Sequence, residues 1–215
     1  MDWYLLARFG HIAGFVLLGG GLAAVFLADW RGRRARDAPA FAEAARFTAL
    51  FYDGLVVPGA LLIAASGLWL MHELALGFFD QPWLVGMWGL FVFEFVEGNT
   101  ITRLVYRRTL RQAQSALAAT AAPASEFASQ SLLGRFTHFL DLPLFAVIVY
   151  CGVFRPESSV HVGIGIALAI VIAATLTSAA PAPQALTLPT PLRQAPGRGS
   201  PPSPAVQERA KNTRR

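Results

Sequence analysis

The sequence predicts an all-α membrane protein, a polytopic bundle of five transmembrane helices. Apolar residues make up 54% of the 215 residues and charged residues only 14%. A soluble domain carries about 25% charged residues, because its surface must face water. The apolar residues also come in five long runs, and the arginines are concentrated between alternate runs. Together these observations indicate helices that cross a lipid bilayer.

Each run is long enough to cross the hydrocarbon core, which takes about 20 mostly apolar residues in a helix. The predicted spans cover residues 4–28, 51–71, 83–104, 136–154 and 160–180. Tryptophans stand near several of the predicted ends, as they do at membrane interfaces. These are Trp3, Trp30, Trp69 and Trp83.

The arginines predict the orientation, because basic residues stay preferentially on the cytoplasmic side of a membrane. All but two of the 18 basic residues follow span one, span three or span five. These three segments share one side if the chain crosses the membrane five times. We therefore expect the N-terminus outside, the C-terminus in the cytoplasm, and the cell (inner) membrane as the location.

Composition also limits the partners that we expect and the disulfide or metal sites that the chain can form. The topology accounts for the net charge of +5, so we expect the lipid bilayer and no nucleic acid as a partner. A second copy of the chain or an electron-transfer protein is a further candidate. The single cysteine, Cys151, excludes an internal disulfide and a cysteine-based metal cluster.

Two segments are predicted to lie outside the bundle. Residues 112–134 are rich in Ala, Ser and Gln and should connect spans three and four in the cytoplasm. Residues 181–215 hold more than half of the 14 prolines and no aromatic residue. This composition is typical of disorder, so we expect a basic, Pro-rich, disordered cytoplasmic tail.

Two carboxyl groups in span three are the first functional candidates. A charge within the bilayer costs about 2.5–3.5 kcal/mol on insertion scales and therefore needs a reason. Glu94 lies about 16 Å into the span at 1.5 Å per residue, and Glu97 follows one turn later on the same helix face. Burial and mutual repulsion favour the protonated form of such groups. We predict a proton route at Glu94 and Glu97.

His11 in span one and Met87 in span three lie at similar predicted depths below the outer surface. We expect that they could face each other. Other polar residues gather near the predicted cytoplasmic ends of the spans, and two interpretations of them stay open. They either pair with one another and reach water, or they continue a polar path from Glu94. These residues are Asp53, Asn99, Arg103, Arg135, His138 and Asp141.

Four stretches of sequence resemble a known family over residues 4–156. Span one contains ARFGHIAGFVLLGGGL, span two VVPGALLIAASGLWLM, span three PWLVGMW and span four RFTHFLDLPLFAVIVYCGVFRP. The chain resembles a bacterial family of predicted integral membrane proteins of unknown function. More distantly it is similar to the HemJ-type protoporphyrinogen oxidases and the copper-resistance D membrane proteins.

The more distant resemblance implies a haem or porphyrin site. In the HemJ-type proteins a first-helix histidine and a third-helix lysine are implicated in binding haem b or porphyrin. His11 matches the histidine, and Met87 stands at the position of the lysine. Methionine paired with histidine is a known set of haem ligands. The resemblance therefore implies haem b bound by His11, as ligand to the haem iron, with Met87 as a second ligand.

Three functions follow, and the sequence leaves open whether the protein is an enzyme. The first is a haem b- or porphyrin-associated redox protein with Glu94 and Glu97 as its proton route. The second is a small proton- or ion-coupled transporter that uses the same carboxyl groups. The third is a non-catalytic membrane module whose basic segments contact anionic lipid or a partner.

Overall fold

The computed structural model describes residues 2–118 and 132–180, and these ranges are helical with no β-strand. Two π-helical turns, Tyr52–Val56 and Gly98–Thr102, join α2 to α3 and α4 to α5, so each of these pairs forms one continuous helix. The α-helices are α1 (Trp3–Arg33), α2 (Ala38–Phe51), α3 (Val57–Glu73), α4 (Pro82–Glu97), α5 (Arg103–Ala118), α6 (Leu132–Phe154) and α7 (Ser159–Ala179).

Within residues 2–118 and 132–180, five helices are long and apolar enough to cross a membrane, which confirms the predicted number of spans. They are Trp3–Arg33, Ala38–Glu73, Pro82–Ser115, Gly134–Phe154 and Ser159–Ala179. At 1.5 Å per residue, the second and third are about 54 and 51 Å long, well beyond a hydrocarbon core of about 30 Å.

The excess length extends the bundle at its arginine-rich end. The segment between the predicted spans one and two is largely helix α2. This helix begins at Asp37, whose carboxylate accepts from the Ala40 N–H at 2.8 Å. Helix α2 packs against α5. Alanines form the contact, and Ala113 is fully buried there against Ala42 and Ala45.

Contacts at the two ends of the bundle show that neighbouring spans run in opposite directions. The end of α1 meets the start of α6, where His138 Nε2 lies 3.2 Å from Asp29 Oδ2. At the same end Arg135 donates to the Thr177 carbonyl oxygen near the end of α7. At the other end the rings of Trp3 and Trp69 lie 6.0 Å apart.

Glycines bring α1 and α3 into backbone contact. A Cβ on Gly59 would come within 2.5 Å of the Leu18 amide nitrogen, and a Cβ on Gly14 within 2.9 Å of the Ile63 nitrogen. Small residues allow this approach, and close packing is what holds helices together in lipid. Gly10 and Gly14 therefore lie against α3 as the small-residue spacing of span one suggests.

The interior is apolar, and so is the outer surface of the spans. One buried cluster lies among α1, α3, α4 and α6, and includes Leu22, Phe91 and Ile148. A second lies between α6 and α7. Large side chains such as Phe9 and Val171 are nevertheless exposed, an arrangement that is stable when the surrounding solvent is hydrocarbon.

Some predictions concern residues outside the described ranges. The tail that we predicted to be disordered, residues 181–215, lies beyond them, and so do residues 119–131 of the connection between spans three and four. Which face of the membrane the arginine-rich end occupies also stays a prediction.

Candidate functional site

A small cavity lies among α1, α3, α4 and α6, with a volume of about 40 Å³. This is room for a small number of water molecules and far less than an organic ligand needs. Leucine and alanine side chains of α1 and α3 form its apolar wall. Its polar wall consists of Tyr52, Glu94, Asn99 and Asp141.

Glu94 is the predicted proton-route residue that lines this cavity. Its Oε1 atom is buried and has no hydrogen-bond partner among the residues that the structure describes. Burying a polar atom without a partner costs about 1–3 kcal/mol, so the fold does not gain stability from this oxygen. A carboxyl group left in this state is available to bind a proton or a water molecule.

Asp141 brings a second carboxyl group to the same cavity, from α6. We expected it among the polar residues near the ends of the spans, which either pair with one another or continue a polar path from Glu94. The structure places it with Glu94. Two residues later Pro143 lies inside α6, where it cannot donate a hydrogen bond to the Phe139 carbonyl. One backbone hydrogen bond of α6 is therefore absent beside the cavity.

Glu97, the other predicted proton-route residue, has a hydrogen-bonded environment. The Thr102 hydroxyl contacts its two carboxyl oxygens at 2.9 and 3.2 Å, and both residues are buried. The two lie five residues apart across the π-helical turn, and this turn brings together side chains at that spacing. Glu94 and Glu97 therefore differ: one carboxyl group is satisfied and the other is not.

The two π-helical turns meet beside the cavity. Tyr52 and Val56 line it from the first turn, and Gly98 and Asn99 from the second. A Cβ on Gly98 would come within 2.5 Å of the Tyr52 hydroxyl oxygen, so this contact requires glycine. π-Helical turns are rare and occur frequently at functional sites.

A buried polar cluster lies next to this site, towards the arginine-rich end. Asp29 accepts from Arg33 Nε at 2.6 Å and lies 3.2 Å from His138 Nε2. The other ring nitrogen of His138, Nδ1, hydrogen-bonds to the Tyr106 hydroxyl. These four residues, from α1, α5 and α6, form what we call the His138 cluster. At least nine-tenths of each of these side chains is buried.

A second ion pair lies outside the bundle core. Arg103 Nε donates to Asp53 Oδ1 at 2.8 Å, and Arg107 lies 3.6 Å from the other carboxylate oxygen. About a third of Arg103 and two-fifths of Asp53 are exposed. These two predicted polar residues therefore have the structural role that we considered for them.

Sequence reasoning missed Asp29, Tyr52 and Tyr106. Asp29 and Arg33 are four residues apart, a spacing that predicts an ion pair on one helix face. The partner of that pair, His138, is more than a hundred residues away, and no local pattern connects them. No local pattern marks the two tyrosines as residues of a buried site, because a tyrosine near a span end is ordinarily an interfacial residue.

His11 and Met87 are directed to different helices. His11 Nδ1 lies 3.2 Å from the Ser66 hydroxyl of α3. A Cβ on Gly67 of α3 would lie 3.3 Å from the His11 ring and 3.6 Å from Trp88 of α4. A Cβ on Gly152 of α6 would lie 3.6 Å from Met87 Sδ. Haem binding by His11 and Met87 stays a prediction.

A comparison with protein families matches residues 5–156 to the family described as "Predicted integral membrane protein (DUF2269)". The chain belongs to this family. No curated protein and no solved structure matches the chain.

The DUF2269 match includes the first four spans and leaves out α7. Glu94, Asp141 and all four residues of the His138 cluster lie inside the matched range. The cavity and the cluster therefore both lie in the part of the chain that matches the DUF2269 family.

Proposed function

We propose that the protein is a small proton-coupled membrane transporter, with Glu94 and Asp141 as the groups that bind the proton. The observation that carries the proposal is the unpartnered Oε1 of Glu94 in a cavity that Asp141 also lines. Two carboxyl groups around one water-sized space can hold a proton between them and release it. A purely structural carboxylate would be expected to have a basic partner.

The environment of the cavity supports proton binding over the binding of an organic substrate. The space of about 40 Å³ admits water and little more. Among the described residues there is no group of three or more His, Cys, Asp or Glu side chains that could hold a metal ion. Ionisable residues inside a membrane protein frequently mark proton relays.

Proton movement in reconstituted vesicles tests this proposal. Purified full-length protein would be placed in liposomes that contain a pH-sensitive dye, and a potassium gradient with valinomycin would supply the driving voltage. We expect acidification above that of protein-free liposomes, and its loss in Glu94→Gln. Glu157→Gln is the matched control, because Glu157 is exposed between α6 and α7. Equal flux in the wild type and Glu94→Gln would contradict the proposal.

We propose haem b or porphyrin binding at His11 as a second candidate function, because the position of Ser66 favours it. The Ser66 hydroxyl donates to the Leu62 carbonyl at 2.6 Å, so it can accept from His11 Nδ1–H. A histidine held in this way presents Nε2 to a ligand, as histidine ligands of metals do. Bound haem would supply one-electron chemistry, and an electron-transfer protein would then be a partner.

The absorbance spectrum of protein produced with sufficient haem decides the second candidate. We expect a Soret band that His11→Ala removes; a change of this band in Met87→Leu would identify Met87 as the second ligand. A wild-type spectrum without a Soret band would exclude haem binding at this position.

A further inference from the structure

We infer that the His138 cluster is the proton relay between the carboxyl cavity and the arginine-rich end of the bundle. This inference rests on the proposed proton-coupled function, and it assigns the route by which the proton enters or leaves. It depends on the geometry of Tyr106, His138 and Asp29, which the cavity itself does not include.

Histidine is suited to this position because its two ring nitrogens have different partners. Nδ1 is hydrogen-bonded to the Tyr106 hydroxyl, on the side of the cavity. Nε2 lies 3.2 Å from Asp29 Oδ2, a contact that lacks hydrogen-bond geometry. An imidazole placed between a hydroxyl group and a carboxylate can take a proton on one nitrogen and give one up from the other.

The cluster lies against the cavity through one ring contact, and it also adjoins Glu97. The ring of Tyr106 packs edge-on against the ring of Tyr52, 5.6 Å between centroids, and Tyr52 lines the cavity. Thr102, which donates to Glu97, also borders the space around His138. Because Thr102 and Tyr106 are four residues apart, they lie on the same side of the helix.

The space around His138 contains no volume for water. A proton that passes this point must therefore move through side chains. A carboxyl group of the cavity supplies a proton to Tyr106 as the Tyr106 hydroxyl gives its own proton to His138 Nδ1, and His138 gives the proton on Nε2 to Asp29. One proton leaves the carboxyl pair and one arrives at Asp29, and His138 is left with its proton on Nδ1. A flip of the ring then turns this N–H towards Asp29 and the unprotonated Nε2 towards Tyr106.

The far end of the relay is next to the exposed arginine-rich segment. Asp29 is paired with Arg33 at 2.6 Å, and about a tenth of the Asp29 side chain is exposed. Arg31 and Arg34, on either side of Arg33 in the sequence, are exposed. A proton on Asp29 is thus close to water, and Arg33 favours its release because it stabilises the carboxylate.

The alternative is a purely structural role, in which these buried residues hold α1, α5 and α6 together and carry no proton. Both roles would make substitutions harmful to stability. The two roles differ in the kinetics of proton exchange. A relay determines the rate at which the cavity takes up protons, whereas a structural cluster determines whether the cavity forms. Rate and amount must therefore be measured separately.

A pH jump on full-length protein in lipid nanodiscs, followed with a pH-indicator dye in a stopped-flow instrument, measures both quantities. We expect Tyr106→Phe to take up as many protons as the wild type and to do so at least about tenfold more slowly, since a general acid–base group contributes at least that much. His138→Gln should be slowed similarly, but it also removes a group that can take up a proton, so only its rate is compared. Tyr4→Phe, at an exposed tyrosine of α1, should match the wild type in both rate and amount. Tyr106→Phe removes a single oxygen and serves if His138→Gln is unstable.

The outcomes separate the relay from the proposed function. Wild-type rates in both His138→Gln and Tyr106→Phe would overturn the relay, and so would a loss of uptake in proportion to a loss of folded protein. In the same assay Glu94→Gln should lower the number of protons taken up. An unchanged number in Glu94→Gln would instead overturn proton binding at the cavity.

Discussion

The hydroxyl group of Tyr52 lies directly over the backbone of Gly98, where a Cβ would come within 2.5 Å of the hydroxyl oxygen and 3.7 Å of the carbon that bears it. Tyr52 begins the first π-helical turn and Gly98 begins the second. The two irregular turns of the second and third spans are therefore packed together through this pair, beside the cavity that holds Glu94.

Gly98→Ala should destabilise the protein, because the new methyl group overlaps the Tyr52 hydroxyl. Overpacking of this kind costs about 1–3 kcal/mol. Tyr52→Phe removes the oxygen, and the next atom is at an ordinary contact distance, so the double variant should recover most of the loss. The measurement is the thermal loss of helical circular dichroism in detergent.

Gly89→Ala is the control for this substitution, because Gly89 lies in the same helix and a Cβ there would meet nothing within 4 Å. It should leave stability unchanged or raise it slightly, as alanine favours the helix over glycine. If Gly98→Ala behaved like Gly89→Ala, the close contact between the two turns would be wrong.

The spans were predictable and these turns were not, for a physical reason. Long apolar runs and the distribution of arginine reflect the demands of the bilayer on each segment separately. A π-helical turn depends on partners elsewhere in the fold, such as Tyr52 for Gly98. No local preference in the residues 98–102 distinguishes this turn from the surrounding α-helix.

Only part of the candidate site could likewise be predicted from the sequence. Glu94 and Glu97 were identified because a charge in a span is costly wherever it packs. Their different surroundings follow from Asp141 and Thr102, and the pairing of Asp29 with His138 joins residues far apart in sequence. Such long-range contacts cannot be obtained from the spacing of residues within one helix.

Asp29→Asn should be strongly destabilising. The substitution leaves Arg33 and His138 buried without the carboxylate that both of them contact. Removing one partner from a buried ion pair costs about 3–5 kcal/mol. Unfolding of the protein by SDS titration from mild detergent micelles would measure the change.

Asp53→Asn supplies the comparison. Asp53 is 41% exposed and its partner Arg103 is 32% exposed, so the pair is screened by water and its loss should cost about 0–1 kcal/mol. If Asp29→Asn and Asp53→Asn lowered the free energy of unfolding by similar amounts, burial of the Asp29 pair would not determine how much it stabilises the fold.

Gly59→Ala should separate α1 from α3. The added Cβ would lie 2.5 Å from the Leu18 amide nitrogen and 3.0 Å from its Cα. A backbone cannot yield as a flexible side chain does, so whole helices must move apart, and close packing of this kind is what holds spans together in lipid. Gly20→Ala in α1, where nothing lies within 4 Å, should be tolerated. Equal melting temperatures for the two variants would contradict this packing.

The predicted orientation can be tested with single cysteines, because the native Cys151 is fully buried and a buried thiol reacts poorly. Glu157→Cys places a thiol in the exposed turn between α6 and α7, and Arg111→Cys places one on the exposed side of α5. If the arginine-rich end faces the cytoplasm, a membrane-impermeant maleimide should label Glu157→Cys in intact cells. Arg111→Cys should react only after the membrane is permeabilised. The reverse pattern would place the arginine-rich end, and with it the Asp29 terminus of the relay, on the outer face.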